Sequence, residues 1–148
     1  MDGVSDPAFS MPADNYFIAL RHRNHLGVMT NAALPLSANT SLLDLSNGTV
    51  PLFGGTSATK PLGGRAVLWA GDGNGDGTLK YTGVDNDRDL ILLRVGGSVA
   101  TATYVGYSRT DVNMDGIVKY TGTGNDRDLI LVNIGGAIAT ATRTASLP

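Results

Sequence analysis

The 148-residue chain contains no cysteine, no glutamate and no glutamine. The first absence excludes disulfides, thiolate nucleophiles and Cys-based zinc or iron–sulfur sites. The other two remove residue types that favour helix interiors. All thirteen acids are Asp, a residue of turns, caps and metal loops. With 20 Gly and 15 Thr besides, the composition excludes a helical bundle. No apolar run approaches the roughly 20 residues of a membrane span. A net charge of −2 gives no global field that would select nucleic acid or an anionic membrane. Aromatic residues make up 6%, which is low for a carbohydrate-binding face. Met1-Asp2-Gly3 lacks the basic start and apolar stretch of a signal peptide. What remains is a chain with 42% apolar residues, enough for a core in one domain or two very small ones.

An internal repeat divides it. Residues 71–109 align with 110–148 at an offset of 39 without a gap, and 21 of the 32 positions from Asp72 to Thr103 are identical to their partners. The first copy carries Asp72-Gly-Asn74-Gly-Asp76-Gly77, Lys80-Tyr-Thr-Gly83 and Asn86-Asp-Arg-Asp-Leu-Ile-Leu92. The second carries Asp111-Val-Asn113-Met-Asp115-Gly116, Lys119-Tyr-Thr-Gly122 and Asn125-Asp-Arg-Asp-Leu-Ile-Leu131. The tail Ala-Thr-Ala-Thr also recurs, at 100–103 and 139–142.

Upstream, residues 1–14 read as an extended lead-in and 15–70 as a β-rich unit. Tyr16–Leu20 and Leu26–Thr30 are suited to paired strands, with Arg21–His25 forming the turn and its flanks. Shorter candidates are Ser41–Leu45, Thr49–Phe53 and Arg65–Ala70, separated by Gly-rich turns. The predicted class is α+β: a small sandwich-like or barrel-like β-unit, then two EF-hand-like calcium loop–helix units over 71–148.

Asp-x-Asn-x-Asp-Gly is the first half of an EF-hand-type loop, in which alternate side chains converge on one hard cation and Gly permits the sharp turn. The predicted ligands are Asp72, Asn74, Asp76 and the Thr78 carbonyl in one loop, and Asp111, Asn113, Asp115 and the Ile117 carbonyl in the other. Two loops predict two calcium ions, with Leu79 and Val118 pairing across a pseudo-two-fold axis. The bidentate Glu that closes a standard loop at position 12 is replaced by Gly83 or Gly122. The closing carboxylate must come from further on. Asp89 and Asp128, directly before Leu-Ile-Leu, are favoured. Asp87 and Asp126 are the rivals, with helix N-terminal capping as their other role. Segments 87–95 and 126–134 read as short helices, acids at the start and Gly-Gly at the end. A ring lengthened by about six residues and lacking Glu predicts modest affinity, about 10⁻⁴–10⁻³ M.

The repeat pair resembles dockerin-type modules, duplicated calcium loop–helix motifs, through Asp72, Asn74, Asp76 and Asp89 and through Asp111, Asn113, Asp115 and Asp128. It departs from them by the insert Tyr81–Asn86 before the closing acid. Nearly the whole chain is similar to the C-terminal region of large secreted bacterial surface proteins of the hemagglutinin-like or adhesin-like kind. Tyr16 to Thr30, with its stretch Arg21-His-Arg-Asn-His-Leu-Gly-Val-Met-Thr30, Leu68-Trp-Ala-Gly-Asp72 and both Lys-Tyr-Thr-Gly…Asn-Asp-Arg-Asp blocks carry that similarity. The resemblance implies secretion, a cell-surface role within a larger protein, and a protein or surface glycan as partner.

His22-x-x-His25 is the other constellation that could bind a metal, and with an acid it would suggest a hydrolase. In a hairpin the commoner reading is a pair of hydrogen-bonded or exposed side chains. No Gly-rich segment ends as a phosphate loop does, and no Ser-His-Asp grouping is readable. The expectation is a non-enzymatic, calcium-stabilised surface module.

Overall fold

The computed structural model describes residues 11–37 and 42–148. Among these described residues, ten short strands form five separate two-stranded antiparallel pairs, joined by turns and by two eight-residue helices. In the first half, β1 (Asp14–Tyr16) pairs with β4 (Leu34–Leu36). β2 (Ala19–His22) pairs with β3 (His25–Met29), and β5 (Lys60–Leu62) with β6 (Arg65–Val67). The hairpin around Arg23-Asn24 sets His22 opposite His25. Among the described residues no continuous sheet forms here, so the expected sandwich-like or barrel-like unit is corrected to three separate two-stranded ladders. Pro35 and Pro61 lie within ladders that are only two strands wide, where one side of each strand needs no partner. Segment 49–53 contributes a single bridge, Thr30 to Leu52, and no strand covers 42–45. Most of the expected lead-in, and Ser41, fall outside the described residues.

The repeats are interlocked. β7 (Thr78–Lys80) belongs to the first copy and β9 (Ile117–Lys119) to the second. β8 (Thr103–Val105) and β10 (Thr142–Thr144) are the corresponding tail strands. β7 pairs with β10, and β9 with β8, so each copy lends its tail to the other. Matching bonds repeat the exchange. Thr82 Oγ1 donates to the Ala139 carbonyl at 3.0 Å and Thr121 Oγ1 to that of Ala100 at 2.9 Å. The Ala145 amide donates to the Gly77 carbonyl at 2.7 Å and the Gly106 amide to that of Gly116 at 3.0 Å.

This topology overturns the expected EF-hand-like, dockerin-type loop–helix pair. A strand and a turn separate each Asp-rich loop from α1 (Asp87–Arg94) or α2 (Asp126–Asn133). Leu79 and Val118 do not pair with each other: Leu79 lies opposite Arg143 and Val118 opposite Tyr104. The tail strands outcompete the symmetric pairing because the Gly-Gly turn after each helix carries Ala-Thr-Ala-Thr across to the other copy.

Both helices are capped locally. Asn86 accepts from the Asp89 amide and Asn125 from the Asp128 amide, with acids in each first turn where the helix dipole favours them. One buried face, with Ile91 and Ile130, meets Val95, Val112 and Val118. A second cluster joins Leu26 of β3 to Leu79 and Ile134, so the first half is packed onto the repeats. Asn133 reinforces that junction, donating to the Ala70 carbonyl at 2.7 Å and accepting from Lys60 Nζ at 2.8 Å.

A chain ending at residue 141 loses β10 and leaves β7 without a partner. The expected outcome is loss of amide-exchange protection at Leu79, in the copy whose own sequence is intact. Protection that persists there would contradict the interlocked pairing.

Candidate metal centre

Each Asp-rich loop is folded by its own side chains. Asp72, 5% exposed, accepts from the Gly75 amide at 2.8 Å through Oδ1 and from the Gly77 amide at 3.1 Å through Oδ2. Asn74 Oδ1 accepts from the Asp76 amide at 2.9 Å, which turns its Nδ2 toward Asp76 Oδ2 at 2.9 Å and the Asp85 carbonyl at 3.1 Å. Asp76 Oδ1 accepts from the Thr78 amide at 2.7 Å. The second loop repeats the pattern. Asp111 Oδ2 accepts from Gly116, Asn113 Oδ1 from Asp115, and Asp115 Oδ1 from Ile117, at 3.1, 2.9 and 2.8 Å.

The amides of Thr78 and Lys80 both point into the loop side, at Asp76 and Asp87, and in an extended strand a residue's carbonyl lies on the side of its amide. The Thr78 carbonyl therefore faces the loop, and the Ile117 carbonyl does so by the same pattern.

The downstream acids divide their roles. Asp87 is 1% exposed, and its Oδ1 accepts from the amides of Gly73 at 2.8 Å and Asn74 at 3.4 Å. Its Oδ2 accepts from Lys80 at 2.8 Å. Asp126, fully buried, does the same with Val112, Asn113 and Lys119 at 2.7, 3.1 and 2.8 Å. Asp89 and Asp128, favoured as closing ligands, stand on the exposed side of each first turn. One oxygen of each accepts from Asn86 or Asn125 Nδ2 at 2.8 Å, the other from Arg88 or Arg127. The structure thus brings Asp87 and Asp126 to the loop backbone and gives Asp89 and Asp128 to the caps. The Asn-x-x-Asp spacing, a capping-box variant, is the sequence signal for that division.

Burial pushes the Asp72 carboxyl up, opposed by the Gly75 and Gly77 amides and helped by the charge of Asp76. Burial also raises Asp87 to about 6 against its three amide donors, with Asp72 adding to the rise. Asp126 is raised by burial as well, and by the charge of Asp111. Asp89 and Asp128 are held down, first by Asn86 and Asn125 and then, against slight burial, by their arginines.

Among the described residues, no three His, Cys, Asp or Glu side chains are grouped so as to hold a metal. Each loop offers two aspartates, one asparagine amide oxygen and one strand carbonyl. This is an oxygen-only set of the kind a hard cation takes. Asp111 Oδ1 is a buried oxygen with no hydrogen-bond partner. That open oxygen belongs to the second loop, which could offer it to a hard cation; in the first loop the equivalent Asp72 oxygen is taken by the Gly75 amide.

His22 and His25 are brought together, rings edge to face with centroids 4.6 Å apart and Nδ1 atoms 2.8 Å apart. His25 Nδ1 also lies 2.8 Å from Asn24 Oδ1, which can only accept. A proton on His25 Nδ1, shared between Asn24 and His22, satisfies both contacts and leaves His25 neutral. Burial, then the charges of His22 and Arg23, lowers His25 from 6.5 to about 4.

Asp87→Asn places an amide NH₂ or a lone oxygen before three donors. Folding stability should fall by about 1–3 kcal/mol in urea titration, and Asp126→Asn should match it; unchanged midpoints would remove the pinning role. His25 stays neutral in the folded chain and takes a proton in the unfolded one. Its stabilisation is complete above pH 6.5 and is lost as pH falls toward about 4. Asp87, raised to about 6, acts in the opposite sense by losing stability as pH rises to that value, so net stability masks both. The His25 ring resonance reads its own group: a midpoint near 4 is expected, and one near 6.5 would refute the assignment.

Compared with known protein families, curated proteins and solved structures, the chain matches none of them.

Proposed function

We propose that this chain is a non-enzymatic calcium-binding module of a secreted or cell-surface bacterial protein, in which two ions stabilise the interlocked repeats and hold a surface for adhesion or scaffolding. The observation that carries this reading is the duplication of an oxygen-only loop around crowded carboxylates. Burial raises the Asp72 and Asp87 carboxyls first, and the charge of Asp76 on Asp72 and of Asp72 on Asp87 adds to it; that added like-charge repulsion is what a bound cation would relieve. Asp72, Asn74, Asp76 and the Thr78 carbonyl would hold one ion, and Asp111, Asn113, Asp115 and the Ile117 carbonyl the other. Calcium would supply positive charge and a cross-link from loop to strand. The chain's own part is to hold the loops in shape: the amide oxygens of Asn74 and Asn113 accept from the amides of Asp76 and Asp115, and the helix acids Asp87 and Asp126 pin the loop starts. Surface placement rests on the resemblance of Arg21–Thr30 and the two Asp-rich blocks to secreted surface proteins. Among the described residues, no helix is long and apolar enough to cross a membrane.

A second reading, docking to a protein partner, is favoured by one observation. Exposed apolar side chains recur at equivalent places in the two copies, Leu93 with Val132 and Val99 with Ile138.

A ligand bound only by the native state stabilises it by mass action. With affinities of about 10⁻⁴–10⁻³ M, 10 mM CaCl₂ should add about 1.4–2.7 kcal/mol per site and raise Tm by several degrees. EGTA should reverse the rise, and Asp76→Ala should remove the share of it that the first loop supplies. A Tm indifferent to calcium would sink the proposal.

A further inference from the structure

The two loops are near-identical in sequence, yet the hairpin of the first half treats them differently. Asp111 is 2% exposed, and its Oδ1 has no hydrogen-bond partner. The equivalent oxygen of Asp72 accepts from the Gly75 amide at 2.8 Å. Met114 stands where Gly75 does, in the left-handed region at φ 62, and its amide makes no such bond.

Beside Asp111 lies a fixed positive charge. Arg23 Nη2 is 3.6 Å from Asp111 Oδ2, and Arg23 Nε is also buried without a partner. The guanidinium rests on the Tyr107 ring, 4.1 Å from its centroid. Asn24 locks the position: its Nδ2 donates to the Asp111 carbonyl at 2.6 Å, and its own carbonyl accepts from the Gly71 amide at 2.8 Å. Lys119 adds a second, weaker charge, 4.0 Å from Asp115. Among the described residues, no ion pair reaches Asp72 or Asp76. Arg21, Arg23 and Arg109 line one cleft with Asp72 and Asp76, and Arg109 passes close to Gly75, but none of the three comes within ion-pair distance of either acid, whereas Arg23 does so with Asp111.

We infer that Arg23 is a built-in cation for the second loop, so that divalent cations fill the first loop first and enter the second only by displacing the guanidinium. The inference rests on the calcium reading above and specifies its regulation. A 3.6 Å approach with an orphaned atom on each side is an incomplete pair, one that an ion taking Asp111 Oδ1 can replace. Until it does, the guanidinium repels the incoming charge in a buried setting where salt screens little.

Calorimetry with CaCl₂ on the full, chelator-treated chain tests this. Wild type should bind in two steps whose Kd values differ on the order of tenfold or more. Asp76→Asn should remove the tighter step and Asp115→Asn the weaker. Arg23→Gln should tighten the weaker step about tenfold and leave the tighter one within about twofold. The Arg23 Nε–H resonance should move with the weaker step alone. Two equal sites, or a tighter step lost in Asp115→Asn, would overturn the inference while calcium binding stands. No binding in any variant would overturn both. If Arg23→Gln fails to fold, the wild type, the two loop variants and the Arg23 resonance still decide.

Discussion

Two buried carboxylates organise the repeat half. Asp87 and Asp126 each sit at the first turn of a helix and accept three backbone amides from the loop and strand before it. A carboxylate taken out of water is costly unless its oxygens are satisfied, and three donors on one group tie loop, strand and helix into one unit. The loop is bent by its own side chains and the helix is capped by Asn86 or Asn125; the buried carboxylate joins the loop start and the strand to the helix's first turn. Burial pushes the Asp87 carboxyl up to about 6 against its three amide donors, and the charge of Asp72 adds to the rise.

The second constraint is reciprocal. β7 and β9 carry the fully buried Leu79 and Val118, and each needs a partner along its edge. The tails of the opposite copies supply those partners, so the cores around Ile91, Ile130 and Leu79 close only when both copies are present. A duplicated sequence thus becomes one folded body. The calcium sites proposed for it sit at the ends of the exchanged strands, where a cross-link from loop to strand would reinforce the exchange.

The hairpin of the first half breaks the symmetry. Asn24 touches the start of both loops, bonding the Gly71 amide and the Asp111 carbonyl, while Arg23 forms its ion pair with the second alone. His22 and His25, which look in the sequence like a separate metal pair, are occupied with each other and with Asn24. Their chemistry serves the turn that places Arg23 and Asn24.

Much of the candidate site is local and therefore legible from residue order. Asp72, Asn74 and Asp76, with their counterparts, form loops through bonds two to five residues apart, and Asn86 and Asn125 cap helices three residues away. The absence of Glu is enough to exclude a standard position-12 ligand. Which acid turns back to the loop is not legible, because Asp87 and Asp89 differ only in the side of a helical turn they occupy. The pairing of β7 with β10, some sixty residues apart, is equally hidden: any of four short strands offers the same edge, and only the path of the chain through the Gly-Gly turns and the closure of a shared core choose among them. Residue order sets the repeat, the two oxygen-rich loops and the capped helices, because these rest on short-range bonds. The exchange of strands, the burial of Asp87 and Asp126, and the placing of Arg23 against Asp111 are settled only in the folded chain. Each of these depends on groups brought together from distant parts of the chain to exclude water.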